Sequence, residues 1–296
     1  MSCTPKLAID FNTTHRLFSA LTLLFSLALG CSLFAQELSD DRTVRVFIFA
    51  GQSNMVGSDS RVQDIKRYPP FAGLESSQEN VRFSYSIGRE NKTNSNGWVD
   101  LQPLNNNVGP ELSFARKTSK NIKHPIAIIK CAAGGTHLGG DWNPDDPTGF
   151  KMYPLTLNLV KSSLAELDQK GIKYRIEGFM WHQGENDMSY YPYRKQAAER
   201  LQSIINQSRV DLGQSSLKWY VSQQPPTNDK SVNSIDVVSD VETIAAADPH
   251  LIHIKAFNLP PQEKKLVIDT GGIIELGNLI AKQYLSAEKK SFNQEK

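Results

Sequence analysis

An α/β fold with a parallel sheet covered on both faces is predicted by three features of this 296-residue chain. Five short runs rich in β-formers recur along it, amphipathic helical patterns lie between them, and each run ends in loop residues. Strands that alternate with helices of this size imply βαβ units, whose crossovers make neighbouring strands parallel and lay helices over the sheet. With 39% hydrophobic and 22% charged residues, the composition is that of a globular protein able to bury one sizeable core.

The first run, Val44-Arg45-Val46-Phe47-Ile48-Phe49-Ala50, is apolar, β-branched and aromatic; it stops at Gly51 and delivers Ser53. A hydroxyl just beyond a central parallel strand stands in the crevice where open α/β sheets bind ligands, so Ser53 is the candidate nucleophile. Gly, Ser and Asn are also ordinary turn residues, and a plain turn is the alternative. Residues 58–109 have no clear period, carry single aromatics at Tyr68, Phe71, Phe83, Tyr85 and Trp98, and read as an elaborated active-site loop region. The second run covers 126–131 and is followed by a Gly, Asp and Pro rich loop over 134–150 that contains Trp142. A helix over 152–170 presents Leu155, Leu159, Val160, Leu164 and Leu167 and ends before Gly171. The third run, 176–182, precedes a helix over 193–210 with Ala197, Ala198, Leu201, Ile204 and Ile205 on one face. Runs four and five cover 217–222 and 251–257, and a last helix over 272–285 carries Ile273, Leu276, Leu279 and Ile280.

The N-terminus reads differently. Lys6 and Arg16 precede an apolar run over 17–29, and Leu33-Phe34-Ala35 stands before Gln36-Glu37, the pattern of a secretory signal peptide cleaved after Ala35. The run is well short of the about 20 residues that a spanning helix needs, so no stable membrane span is expected. Cys31 follows Ala28-Leu29-Gly30, a poor lipobox, and lipid attachment there is not expected. An exported location, periplasmic or extracellular, follows. Cleavage removes Cys3 and Cys31 and leaves Cys131 alone, so no intrachain disulfide forms and stability rests on the core. It also removes Lys6, Arg16 and Asp10 from 33 basic and 31 acidic residues, leaving 31 against 30, a balance that gives no support for a nucleic-acid partner. Residues 36–290 are read as a single domain and 291–296 as a polar tail.

Three loops at the C-terminal ends of runs one to three converge on one crevice in such a sheet. They are Gly51-Gln52-Ser53-Asn54-Met55, Ala132-Ala133-Gly134-Gly135-Thr136-His137 and Trp181-His182-Gln183-Gly184-Glu185-Asn186-Asp187. Acyl transfer through Ser needs donors aimed at the developing negative oxygen. The backbone N–H of Ser53, one from Gly134 or Gly135 and the side-chain amide of Gln183 can supply them; a tight turn at the Gly pair and a loop-bracing amide at Gln183 are the alternatives. His182 has the imidazole of a general base or is a structural, hydrogen-bonded histidine. Glu185 and Asp187 either orient a ligand or brace the loops.

These three blocks, with Gly109-Pro110-Glu111-Leu112-Ser113-Phe114-Ala115, resemble the SGNH-type sialate O-acetylesterase family, which includes the acetyl xylan esterases of carbohydrate-esterase family six. The resemblance runs from about Val44 to Leu285. It differs from the Gly-x-Ser-x-Gly elbow of α/β-hydrolases, because Met55 stands where the second Gly would be. It implies a flavodoxin-like three-layer α/β/α sandwich with a five-stranded parallel sheet (the SGNH hydrolase fold), no metal or other cofactor, and removal of acetyl groups from carbohydrate. On the matching positions it implies Ser53 as nucleophile and Gly135 and Gln183 in the oxyanion hole. Gln52, Asn54, Gly134, Thr136, His137, His182 and Glu185 are the residues expected to line the substrate site.

The resemblance breaks at the end of the chain. The family carries an Asp-x-x-His block before a helix with Thr-x-Gly and Leu-Gly; here that helix is marked by Thr270-Gly271-Gly272 and Leu276-Gly277. In that register Lys264 occupies the Asp position and Val267 the His position. A Ser hydroxyl without a base is a weak nucleophile near neutral pH. Two readings follow: an exported carbohydrate O-acetylesterase with an unconventional base or slow chemistry, and a catalytically impaired relative that binds acetylated glycans. His137, His182, His250 and His253 are the replacement bases to weigh, His137 being the best placed. Asp269 reads as a helix cap. Trp98, Trp142 and Tyr190 or Tyr191 are candidate sugar platforms, with core or loop packing as the alternative.

Overall fold

β1 (Val44–Gly51) is buried on both sides from Val46 to Ala50, which is what a near-continuous apolar strand requires of its surroundings. In the computed structural model, which describes residues 42–89, 92–189, 191–223, 237–256, 259 and 267–294, that requirement is met by helices on each face. After β1 come α1 (Ser53–Val56), β2 (Gln78–Ile87), β3 (Thr93–Asn94), β4 (Val99–Leu101) and α2 (Pro110–Ser119). Then follow β5 (Ile126–Ala132), α3 (Met152–Gln169), β6 (Tyr174–His182), α4 (Glu185–Ser189), α5 (Tyr191–Arg194) and α6 (Ala197–Asp211). β7 (Trp219–Gln223), α7 (Val237–Ala247), β8 (Leu251–Lys255) and α8 (Thr270–Gln294) complete the order. All these elements lie in the unit Thr43–Lys296.

The strand order is β3-β2-β5-β1-β6-β7-β8, with β4 also on β2. Leaving out the β2 side, the five predicted strands stand in the order two, one, three, four, five, the flavodoxin-like arrangement. The strand number is a correction: β2 is a sixth parallel strand, pairing with β5 from Val81↔Ile126 to Ile87↔Ala132, and β3 and β4 add short antiparallel pairs to it. β2 escapes a periodicity reading because two of its inward positions are Ser84 and Ser86, both buried. Ser84 is satisfied there by the Ser163 hydroxyl on α3, which donates to its Oγ at 2.8 Å.

Alternate residues of β1 feed two cores. Val46, Ile48 and Ala50 face α3, α6 and α7, packing among Val160, Leu164, Leu201, Ile204 and Val241. Phe47 and Phe49 face α2 and α8, where Phe47 meets the rings of Phe114 and Tyr284 edge-on at 4.9 and 4.8 Å. This is the three-layer sandwich. α2 belongs to it through an unusual pair: Lys130 in the middle of β5 and Glu111 on α2 are fully buried and joined at 2.7 Å. A polar pair inside the core is another reason the segment does not read as an amphipathic helix.

The last helix starts where its cap predicts, with Asp269 Oδ1 accepting from Gly272 N at 2.8 Å. It is longer than predicted: the polar residues from Ser286 continue α8 through Gln294, so the expected tail is largely helical. The expected signal peptide and Cys31 lie outside the described residues. No helix among the described residues is long and apolar enough to cross a membrane.

Candidate active site

The sheet register brings the three predicted loops to one place. Gly51 at the end of β1 pairs with Ala132 of β5 on one side and His182 of β6 on the other. The chain returns to β1 from both directions here, which is the switch point where open α/β sheets form a crevice. Gly51 has φ +152° and a Cβ there would run into the carbonyl of His182, so only Gly allows β1 and β6 to close this tightly. Gln52 N then donates to His182 O at 3.3 Å and Ala133 N to Gly51 O at 3.2 Å, tying the loops to each other.

Ser53 opens α1 and is half-buried, while Gln52 and Asn54 on either side are fully buried. Among the described residues no group hydrogen-bonds its Oγ. Gly134 packs against it: a Cβ added at Gly134 would stand 3.6 Å from Ser53 Cβ. Gly135 is exposed with φ +78°. Among the described residues, neither the Ser53 N–H nor the Gly135 N–H donates to a backbone carbonyl. Among the described residues, two N–H groups without a backbone acceptor thus lie in the two loops that meet at Ser53.

Beneath Ser53 lies a buried polar network whose centre is Glu185. Glu185 Oε1 accepts from Asn54 Nδ2 at 2.6 Å and faces His182 Nε2 at 3.0 Å, and Glu185 Oε2 accepts from Gln52 Nε2. Burial alone would raise this carboxyl; the His182 ring and the Asn54 amide outweigh it and hold Glu185 below the ordinary carboxylate range. The other His182 nitrogen, Nδ1, faces Ser222 Oγ at 2.8 Å, and that hydroxyl already donates to Trp181 O at 2.9 Å. Its single hydrogen is taken, so Nδ1 donates to it. Both ring nitrogens of His182 thus face protein partners, Ser222 and Glu185, within the buried network.

The loop after β5 is held by a second network. Gln183 Nε2 donates to Thr136 O at 2.8 Å and to Asp187 Oδ2 at 3.0 Å, and Asp187 Oδ1 accepts from Leu138 N at 2.8 Å. Asn186 Nδ2 donates to Gln52 Oε1 at 2.6 Å and to Thr136 O at 3.1 Å. Both amide hydrogens of Gln183 are engaged, which leaves none for the oxyanion donor it was expected to be; it braces the Gly135-Thr136 backbone instead. Thr136 is buried, and its hydroxyl accepts from Trp142 Nε1 at 3.1 Å. Burial pushes the Asp187 carboxyl up to about 6, from an ordinary value of 3.8, against the pull of Gln183 and the Leu138 N–H. A carboxyl raised on folding contributes stability that is complete below its unfolded value near 3.8 and lost as pH rises through about 6. A carbon-detected NMR titration should find the Asp187 midpoint near 6, and one near 4 would contradict this burial effect.

The remaining predicted residues divide. His137 stacks on Tyr193 at 4.4 Å and its Nε2 stands 3.6 Å from Asp141 Oδ2, an engagement with its own loop and not with Ser53. Trp142 is buried with its indole edge-on to Trp181 at 4.9 Å, so it is core and not a sugar platform. Trp98 packs on the core and donates to Ser163 O at 3.1 Å. His253 is half-buried within β8 and His250 precedes that strand, at the end away from the crevice. Tyr190 and Lys264 lie outside the described residues. Val267 is half-buried, and the next residue, Ile268, donates its N–H to Asn54 Oδ1 at 2.9 Å. The sequence reading missed Arg89, at the end of β2, whose Nε donates to Gly134 O at 3.1 Å.

Three comparisons bear on this geometry. Among solved structures the chain is similar to a protein of Arabidopsis thaliana, at 20% identity and a TM-score of 0.62 over 82% of this chain and 98% of that one. It is similar to NanS at 14% identity and a TM-score of 0.59, over 85% of this chain and 98% of that one. It is also similar to a carbohydrate acetylesterase from Xanthomonas citri at 13% identity and a TM-score of 0.56, over 82% of this chain but 57% of that one. At these identities the likeness establishes the fold. No curated protein matches. The family model for carbohydrate esterase, sialic acid-specific acetylesterase matches residues 43–286, which spans every loop described above. The chain belongs to the carbohydrate esterase, sialic acid-specific acetylesterase family.

Proposed function

We propose that this chain is an exported carbohydrate O-acetylesterase-like protein in which Ser53 is the nucleophile and the usual histidine base is missing. The observation that carries the reading is Ser53 itself: a half-exposed hydroxyl packed beside Gly134, with the N–H groups of Ser53 and Gly135 making no backbone hydrogen bond among the described residues. In the step this arrangement supports, Ser53 Oγ attacks the acetyl carbonyl carbon and the carbonyl oxygen takes negative charge between the two N–H donors. The bond to the sugar oxygen breaks, the sugar leaves as its alcohol with the proton released by Ser53, and water then cleaves acetyl-Ser53 to acetate. Gln52, Asn54, Gly134 and Thr136 shape the pocket, with His182 and Glu185 fixing it from below. The substrate class, an acetylated carbohydrate, rests on the family; export rests on the sequence pattern of residues 1–35.

The loss of the base is supported by Val267, which stands where the family's histidine is expected, and by Lys264 at the Asp position. Against a replacement by His182 stand its Ser222 and Glu185 contacts, and against His137 its stacking on Tyr193 with Nε2 toward Asp141. The same substitutions favour a second reading, a relative that keeps the crevice to bind acetylated glycans without turning them over.

Turnover of an aryl acetate and of acetylated xylan by the purified chain, beside Ser53→Ala, separates the two. Slow acetate release that falls to the Ser53→Ala background supports the esterase. No release above that background, with retained glycan binding, supports the binding protein.

A further inference from the structure

We propose that the adjacent residues Asp141 and Trp142 are positioning residues: they clamp the arc 133–137 from both ends and so fix Gly134 and Gly135 in the loop that meets Ser53. The assignment rests on the reading of Ser53 above. At the far end of the arc, Asp141 Oδ2 accepts from His137 N at 3.1 Å, and His137 Nε2 turns toward the same oxygen at 3.6 Å. At the near end the hold runs through Thr136. Trp142 Nε1 donates to the Thr136 hydroxyl at 3.1 Å, and that hydroxyl gives its single hydrogen to Ala133 O at 2.9 Å, one residue before Gly134. Between the two holds lie Gly134, packed against Ser53, and Gly135.

A clamp works only if it is itself fixed. The other oxygen of Asp141, Oδ1, accepts from Phe150 N at 2.8 Å, and its carbonyl accepts from Tyr153 N at 3.2 Å in the first turn of α3. The chain closes over this carboxylate at Gly149, which has φ +57° and where a Cβ would stand 2.5 Å from Oδ1. Asp141 and Trp142 are both buried, and the Trp142 indole rests edge-on against Trp181 of β6. A carboxylate that receives N–H groups from two segments holds them more firmly than a neutral acceptor would. Donors for a developing negative oxygen contribute only if they are aimed before the charge appears, and a misplacement of about 1 Å can cost ~10²-fold. The clamp therefore acts on kcat more than on KM.

The test measures kcat and KM on an aryl acetate. Asp141→Asn keeps the shape but sets an amide NH2 against one of the two N–H groups, Thr136→Val removes the hydroxyl that links Trp142 to Ala133, and Thr136→Ser retains it. Asp141→Asn and Thr136→Val are expected to lower kcat by ~10–10²-fold with KM nearly unchanged, and Thr136→Ser to keep most of the rate. Leu167→Ala controls for lost stability alone, because Leu167 is a core residue near the other end of α3, about 20 Å along the helix from Met152. An equal fall of kcat in Leu167→Ala overturns the proposal, as does an unchanged kcat in both Asp141→Asn and Thr136→Val. Hydrogen–deuterium exchange supplies a readout that needs no turnover: uptake in the peptide covering 133–138 should rise in those two variants while β1 keeps the wild-type uptake. If the wild type releases no acetate above the Ser53→Ala background, the Ser53 reading fails on its own, and unchanged uptake in that peptide is then what overturns the clamp.

Discussion

Replacing Lys264 by Asp and Val267 by His is expected to raise Ser53-dependent hydrolysis of an aryl acetate by ~10²–10⁴-fold, the usual contribution of a general base. Among the described residues the Ser53 and Gly135 N–H groups make no backbone hydrogen bond, and Ile268, just after position 267, donates its N–H to Asn54 Oδ1 beside Ser53. The turn after it is fixed too, by the Asp269 cap on α8 and by the Thr270 hydroxyl, which donates to Asp64 Oδ2 at 3.0 Å. A histidine at 267 would stand directly before the anchored Ile268. The comparison is kcat/KM of the wild type, the double variant, and the double variant carrying Ser53→Ala. A gain that disappears with Ser53→Ala supports a decayed triad on an intact scaffold; no gain means that more of the site has changed than the two positions.

Glu185→Ala is expected to destabilise the fold by ~3 kcal/mol or more, because each buried polar group left without its partner costs about 1–3 kcal/mol. Three side chains lose their acceptor at once: His182, Gln52 and Asn54. The His182 ring would keep Ser222 on one nitrogen and leave the other facing a cavity. Because Gln52 and Asn54 bracket Ser53, Glu185 positions the turn that carries Ser53. Urea unfolding should show the drop in stability, and Glu185→Gln, which keeps an acceptor and the volume, should show a smaller one. Glu185→Ala as stable as the wild type would mean that the network is ornamental to the fold.

The parts of the fold legible in the sequence are those where one physical demand dominates. β1 is apolar on both faces because both faces are covered, so it reads directly, and the helices α3 and α6 carry uninterrupted apolar stripes. β2 is hidden because Ser84 and Ser86 fill inward positions through side-chain and tertiary partners that a local pattern does not contain. α2 is hidden for a related reason, since Glu111 is buried by virtue of Lys130 on a strand that follows it in sequence. In the site, the convergence of three loops followed from the parallel sheet, and with it the placement of Ser53 beside Gly134. The role of His182 was not: only the hydroxyl of Ser222, 40 residues away, determines that its second nitrogen is engaged. Trp142 could not be told from a sugar platform without knowing that Thr136 receives its N–H. Arg89 was out of reach because it comes to the crevice on the strand that the sequence concealed.

The most direct test of the account is whether an acetyl group is transferred to Ser53. Incubation of the wild-type chain and of Lys264→Asp/Val267→His with an aryl acetate, followed by peptide mass analysis, should find acetyl on the peptide containing Ser53. The adduct should form slowly in the wild type and faster in the double variant, and be absent in Ser53→Ala. If neither protein carries it, while the aryl acetate is hydrolysed no faster than by the Ser53→Ala control, Ser53 is not a nucleophile and the crevice is a binding site.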